Sequence, residues 1–560
     1  MPEAADLRPT SPSRAGISTA SVIFVGTAIC VVYLSTIGVF GLSEPDEARY
    51  AEIPREMLLR GDWITPHLNY VKYFEKPPLL YWLVALTYSV FGFSELAARL
   101  WSVLFAFLGM AVVLVVARSM WNPRVARIAV ALLATCPLYF GMSQVLSLDM
   151  PLTGLITTAA GSFWLAYAQP QRRRLWVRLF YAALALAVLT KGPVALVLVG
   201  GIVGAFVALR WEWALLRWLI SPLGIAVFLA IAAPWHVLVS QHNPEFVDYY
   251  VVDQHLKRYL SPSEHRESIG FFVPVALGGT APWSVICLGL PALLRTYVAA
   301  LLRGRTSAAT LYCTLWAAVV FSFFSLSGSK LATYIVPMFP PVALLMARAF
   351  QVALKRPTRV LFWGGIAAVS CALLMLVGAI GVREFVDDPN GALIASRLAI
   401  GTWPMLLAGA LTIRLANQGK QDKAFAFLVG AVLSLQLVVI SGREAARNYK
   451  PLGLAIRAQA RADDLVVSYR HFTQAIPLYS QHRTVLVRTR GELEFGSRRG
   501  DQSEYFWESD EDLFARWSSS RRLFVVINRN ELEDIHPRLN PAPRVIAGYG
   551  KKVVVVNFAA

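Results

Sequence analysis

Residues 77–92 read Pro77-Pro78-Leu79-Leu80-Tyr81-Trp82-Leu83-Val84-Ala85-Leu86-Thr87-Tyr88-Ser89-Val90-Phe91-Gly92. The run is apolar but shorter than the roughly 20 residues that carry a helix across a bilayer. Whether it crosses decides the side of every later loop. The basic residues settle this. They cluster at 118–127, 172–178, 210–217, 295–305, 355–359 and 414–423, and the N-terminal tail carries Arg8 and Arg14. Lys and Arg gather in cytoplasmic loops. These clusters share one side only if 77–92 does not cross. The run is therefore predicted to be a helix lying at the outer interface, with the N-terminus inside.

Working outward, thirteen apolar runs are candidate spans: 19–41, 97–118, 125–142, 150–168, 177–190, 192–209, 217–239, 270–294, 307–325, 333–352, 358–382, 398–415 and 424–441. The composition agrees. Of 560 residues, 56% are hydrophobic and 16% charged, against about 25% charged in soluble domains; the mean hydropathy is +0.51. A soluble core of this composition would leave far too much apolar surface in water, and a disordered chain has too few apolar residues to match it. The class is a polytopic α-helical membrane protein. The net charge of +18 is spread over the inner loops rather than gathered into one patch, so no nucleic-acid partner is expected. The five cysteines (Cys30, Cys136, Cys287, Cys313, Cys371) lie in apolar runs without CxxC spacing and read as small buried hydrophobes. The first apolar run lacks a clear small-residue cleavage site and reads as a span rather than a signal peptide.

From about Gly442 the chain is richer in charge. Short β-type runs appear at Leu465-Val466-Val467, Thr484-Val485-Leu486-Val487, Leu523-Phe524-Val525-Val526-Ile527 and Val553-Val554-Val555-Val556, separated by polar helical stretches. This predicts two domains. Residues 1–441 form a membrane domain with large outer loops at 42–96 and 240–269. Residues 442–560 form a small α/β domain on the outer side, to which the sequence assigns no chemistry.

The polar motifs fall on the outer loops. They are Ser43-Glu44-Pro45-Asp46-Glu47-Ala48-Arg49-Tyr50, Tyr73-Phe74-Glu75-Lys76-Pro77-Pro78, Ser147-Leu148-Asp149-Met150-Pro151, Thr190-Lys191-Gly192-Pro193, Gln254-His255-Leu256-Lys257-Arg258-Tyr259, Ser263-Glu264-His265-Arg266 and Ser329-Lys330-Leu331-Ala332-Thr333-Tyr334. Ionisable groups are costly to hold at a membrane boundary, and their convergence on one face from distant parts of the chain marks a functional site. Asp46 is the first candidate for a catalytic carboxylate, followed by Asp149 and Glu47; Asp46 and Asp149 also read as helix-start residues. Lys76, Arg49, Arg258 and Lys330 are candidate cations for a phosphate, and Tyr334 a hydrogen-bond donor to it. Glu75, His255 and His265 are a mixed carboxylate and imidazole set, open to a divalent ion such as zinc or manganese. Their spacing lacks a strong metal signature, and no cofactor is required by the sequence. Phe74, Tyr81 and Trp82 are placed at the mouth of an apolar cavity.

An Asp-Glu pair after the first span, Lys-Pro-Pro-Leu-x-Tyr-Trp, Ser-x-Asp-x-Pro and Lys-Gly-Pro together resemble the GT-C glycosyltransferases, membrane enzymes that use lipid-phosphate-linked sugars. The set is most similar to the aminoarabinose transferases of lipid A. The resemblance covers the whole chain and implies a GT-C fold of about thirteen spans with a C-terminal periplasmic domain, in the bacterial inner membrane. It implies an undecaprenyl phosphate donor carrying 4-amino-4-deoxy-L-arabinose, a lipid A acceptor, and resistance to polymyxin and cationic peptides. Two readings stay open beside it. One is transfer of another polyprenyl-linked sugar, such as mannose, to a protein or glycan. The other is a lipid transporter or flippase, against which the absence of an internal repeat argues.

Overall fold

A computed structural model of the chain describes residues 19–250, 267–284, 291–353, 357–385, 391–441 and 448–558. The first half forms eleven helices: α1 (Thr19–Ser35), α2 (Asp46–Arg60), α3 (Leu79–Phe91), α4 (Glu95–Met120), α5 (Pro123–Ala134), α6 (Pro137–Ser143), α7 (Asp149–Ala168), α8 (Arg173–Lys191), α9 (Val194–Arg210), the short α10 (Leu215–Leu219) and α11 (Pro222–His242). Longer helices follow at Ala308–Leu326, Phe339–Ala353, Pro357–Phe385, Gly391–Asn417 and Gln421–Ser441.

Every predicted apolar run meets helix, but not every run is a single rod. The run 125–142 bends by 67° between α5 and α6. Pro137 disfavours the helical conformation at the residue before it, and Cys136 is extended there, at φ −66° and ψ 120°. The run 270–294 contains the helix Phe272–Gly279, and helix is described again from Pro291; Gly278, Gly279 and Pro282 stand where the first helix ends. Among the described residues seven helices are long and apolar enough to cross a membrane, or eight if the bent pair is one span, with shorter apolar helices in α1, α3 and α9. The expected count of thirteen is thus not borne out. Helix α3 has 13 residues, about 20 Å of rise, against a hydrocarbon core of about 30 Å. It buries Leu80, Tyr81 and Val84 and exposes Leu86, Val90 and Phe91. Of the cysteines, Cys136 and Cys313 are buried, Cys371 is half-buried and Cys30 is exposed; Cys287 lies outside the described residues.

The C-terminal part is a six-stranded sheet in the order β5-β4-β3-β6-β8-β7, with β3 (Leu465–Tyr469), β4 (Thr484–Val487), β5 (Phe506–Trp507), β6 (Leu523–Asn528), β7 (Arg544–Tyr549) and β8 (Lys552–Val556). Strands β3 to β6 are parallel and the β6-β8-β7 edge is antiparallel. The central strands are continuous apolar runs because both faces are covered. Leu452, Ile456 and Ile476 pack on one face, and Leu513, Trp517 and Ile535 on the other.

This sheet domain is seated on the segment between α1 and α4. A two-residue hairpin joins β1 (His67–Leu68) to β2 (Val71–Lys72), with Asn69 and Tyr70 at φ 52° and 66°, the geometry of a tight hairpin turn. Asn69 is fully buried. Its Nδ2 donates to the Thr484 carbonyl (2.8 Å) and its Oδ1 accepts from the Thr484 N–H (2.9 Å). Gly496 lies against the backbone of β2: a Cβ there would sit 2.2 Å from the Lys72 carbonyl oxygen. Phe495 stacks on Tyr249 at 3.9 Å and meets Phe74 edge-on at 5.9 Å. Phe74 and Tyr81 are therefore buried seam and core residues rather than the cavity mouth expected of them. Trp82 is partly exposed, with its Nε1 donating to the Trp63 carbonyl at 2.9 Å.

Candidate active site

Helix α2 opens at Asp46, and its first turn carries Asp46, Glu47 and Arg49 at different angles around the axis. Asp46 and Glu47 have opposite environments. The Asp46 side chain is 53% exposed and pairs with Arg49. Glu47 is 1% exposed and is gripped by Arg99 of α4, with Nε to Oε1 at 2.7 Å and NH2 to Oε2 at 3.0 Å. Glu47 also accepts the backbone N–H groups of Ser43 (3.0 Å) and Leu146 (2.8 Å). Arg99 spends its other donors on the carbonyls of Ile37, Phe40 and Gly41. Glu47 is thus a hub tying α2, α4 and the turn ahead of α7 together, with both of its oxygens engaged.

The turn held by Glu47 leads into α7, whose first residue is Asp149. Asp149 is 12% exposed and pairs with Lys191 at the end of α8. The Lys191 ammonium sits 4.4 Å from the centroid of the Tyr334 ring, within cation–π range. The Lys330 ammonium donates to the carbonyls of Ser327 (2.7 Å) and Glu267 (2.9 Å). A cation satisfied by neutral carbonyls keeps its charge for an anion.

Arg49 is the most contacted of the expected cations. Its NH1 donates to Tyr73 Oη at 3.2 Å and to Glu492 of the sheet domain, while its NH2 donates to Asp46. Glu75 lies within electrostatic reach of Arg49. Lys76, next in the chain, is half-buried. Burial pushes the Glu492 carboxyl up to about 7 against the pull of Arg49. Glu44 behaves alike: burial raises it to about 7, although the N–H groups of Ala475 and Gln474 (the latter at 3.2 Å) lower it. Among the described residues no group of three or more His, Cys, Asp or Glu side chains is disposed to hold a metal ion. Arg258, His255 and His265 lie outside the described residues, so of the proposed metal set only Glu75 has a described place.

The sequence therefore brought Asp46, Arg49 and Glu75 to one cluster and Asp149 and Tyr334 to a second, with Glu47 between them. It missed Lys191, although its Lys-Gly-Pro motif put a cation at a helix end. It also missed Arg99, an arginine near the start of an apolar span, where a buried partner is the rule. Glu492 and Gln474 carried no signal, since their place depends on how the sheet domain docks.

Residues 19–250 match the family model of dolichyl-phosphate-mannose-protein mannosyltransferases, and residues 452–557 that of the aminoarabinose transferase C-terminal domain. The fold is similar to the crystal structure of ArnT from Cupriavidus metallidurans bound to undecaprenyl phosphate, with a TM-score of 0.85 at 29% identity, over 97% of this chain and 99% of that one. An Archaeoglobus fulgidus oligosaccharyltransferase shares the fold alone, with a TM-score of 0.53 at 12% identity, over 93% of this chain and 70% of that one. A helical membrane bundle with acids and cations gathered at one rim under a docked sheet domain is, with these likenesses, a GT-C glycosyltransferase. The undecaprenyl phosphate-alpha-4-amino-4-deoxy-L-arabinose arabinosyl transferase of Edwardsiella ictaluri is 30% identical over 549 residues, 94% of this chain and 95% of its own length. That of Erwinia tasmaniensis is 30% identical over 531 residues, 88% and 89% of the two chains. The chain belongs to this family of arabinosyl transferases.

Proposed function

We propose that this chain transfers 4-amino-4-deoxy-L-arabinose from undecaprenyl phosphate to a phosphate group of lipid A at the periplasmic face of the inner membrane, with its N-terminus cytoplasmic. The observation that carries the reading is the rim itself. Two acid–cation pairs, Asp46–Arg49 and Asp149–Lys191, are set on either side of the Glu47 hub, in a chain that matches its relatives end to end. The basic inner loops support the orientation.

The chemistry asks for such a rim. Breaking the anomeric C–O bond builds positive charge on the sugar and negative charge on the departing phosphate. Fixed cations stabilise the latter, and Lys76, Arg49, Lys191, Lys330 and Arg258 are assigned to that field, with Tyr334 beside it. The acceptor phosphate has a second pKa of about 6 and arrives largely ionised, so no strong base is needed. Asp46 is the most exposed of the three candidate carboxylates, at 53% against 12% for Asp149 and 1% for Glu47. That exposure supports assigning it to meet and orient an incoming acceptor. Glu75 with His255 and His265 would suit a divalent ion.

The test is mass spectrometry of lipid A from a polymyxin-sensitive host that makes the donor but lacks its own transferase. Wild-type chain should add one aminopentose per modified phosphate, and Asp46→Asn and Lys76→Ala, at matched membrane levels, should add none or little. An unmodified lipid A with a correctly inserted wild-type chain would move the reading to another sugar or acceptor.

A further inference from the structure

The carboxylates around Arg49 outnumber what it can neutralise. Asp46 and Glu492 both pair with its guanidinium, and Glu75 lies in the same field. Three carboxyl groups thus share one guanidinium, an arrangement that suits a further cation.

A second observation is independent of charge. Three buried polar atoms here have no hydrogen-bond partner: Tyr81 Oη, Gln474 Oε1 and Arg49 Nε. Tyr81 is fully buried and Gln474 is 3% exposed. The Tyr81 hydroxyl lies in the field of Arg49, Glu75, Glu492 and Asp46, and the Gln474 amide donates through Nε2 to Glu492. Leaving such atoms unsatisfied costs about 1–3 kcal/mol each, so this is a polar site awaiting a polar occupant. Its acceptors, the Glu492 carboxylate and Gln474 Oε1, both come from the sheet domain. Gly491, at φ 47°, gives the turn that presents Glu492; a side chain there would be strained.

We propose that Glu492, with Gln474 beside it, binds the protonated 4-amino group of the donor sugar, so that the C-terminal domain supplies the selectivity for an amino sugar. An ammonium offers three donors and one positive charge, which is what this cluster lacks. Arg49, between Asp46 and Glu492, then separates the ammonium end of the donor from its phosphate end. This rests on the donor assigned in the preceding subsection.

The experiment uses the full chain in nanodiscs with two donors. One is undecaprenyl phosphate carrying 4-amino-4-deoxy-L-arabinose; the other carries the same sugar with the nitrogen formylated, hence neutral. Wild type should prefer the amine. Glu492→Gln should raise KM for the amine donor on the order of 10- to 100-fold and leave KM for the formamide donor unchanged, erasing the preference. Binding of undecaprenyl phosphate alone should not change, and Glu492→Asp should restore part of the preference. Equal losses with both donors, or weakened binding of undecaprenyl phosphate alone, would make Glu492 a docking prop and overturn the proposal. A wild-type chain that uses neither donor would instead overturn the donor assignment, before any variant is compared.

Discussion

The Glu47–Arg99 pair separates a structural from a chemical reading of the Asp-Glu motif. Arg99 and Glu47 are each 1% exposed, joined by two bonds of 2.7 and 3.0 Å. Arg99→Met leaves a carboxylate buried without its cation, a loss of about 3–5 kcal/mol. Glu47→Gln removes two charge-assisted bonds and leaves the guanidinium to three carbonyls; at about 1.5–3 kcal/mol for each bond to a charged group, the cost is similar. A positioning pair makes a further demand. In the double variant neither charge is stranded, so it should be more stable than the sum of the singles by about 0.5–3 kcal/mol. The assay is denaturant unfolding of the detergent-solubilised chain, run beside donor turnover at matched folded protein. Turnover should fall in both singles through disorder of the 144–149 turn, and the double should recover stability. Glu47→Gln with unchanged unfolding and abolished turnover, Arg99→Met remaining active, would refute this and make Glu47 a reacting group.

Two further outcomes concern the seam. Asn69→Ala deletes both bonds to the Thr484 backbone and strands two buried polar groups, so the sheet domain should loosen by about 2–5 kcal/mol, read as faster proteolytic release of the fragment beyond residue 448. Docking should also depend on pH. Burial holds Glu44 and Glu492 near about 7, above the usual carboxylate value of 4.5, and burial beside Glu52 holds Glu56 at about 8. The docked form therefore retains protons that the separated surfaces release. Its stability is full below about 4.5 and declines as pH rises through about 7 to 8. Burial lowers His67 from 6.5 to about 4, so it works the other way between those values and is outnumbered by the carboxylates. Hydrogen exchange at 475–480 and 491–493, corrected for intrinsic rates, should show more protection at pH 5.5 than at pH 7.5; the reverse order would contradict the assignment.

Much of this molecule was legible because its signals are local. Apolar runs gave the helices, and four β-type runs gave β3, β4, β6 and β8. The thirteen-span count is not confirmed among the described residues, and the limits of local counting show there. A run of apolar residues does not announce a 67° bend until Pro137 is weighed, nor a helix end until Gly278, Gly279 and Pro282 are. The site shows the same division. Asp46 and Asp149 were legible as candidates because each follows a turn and opens a helix. The long-range partners were not: Arg99 pairs with Glu47 across 52 residues, Lys191 with Asp149 across 42 and Glu492 with Arg49 across 443.

That last separation bears on why the sheet domain is present. A domain serving only as a lid would need a packed and hydrogen-bonded seam, and Phe495 on Tyr249 with Asn69 on Thr484 already provides one. The cost of burying Glu492 beside Glu75 and Asp46 is then unexplained. Buried carboxylates are retained against that cost where they meet something the fold alone does not provide. The same carboxylate holds Arg49, which stands beside Asp46, so docking, sugar selection and the placement of the acceptor carboxylate are joined through one guanidinium. A variant that loosens the seam should therefore lose selectivity for the amino sugar before it loses the fold of the membrane domain, because the Glu47–Arg99 hub is built from that domain alone.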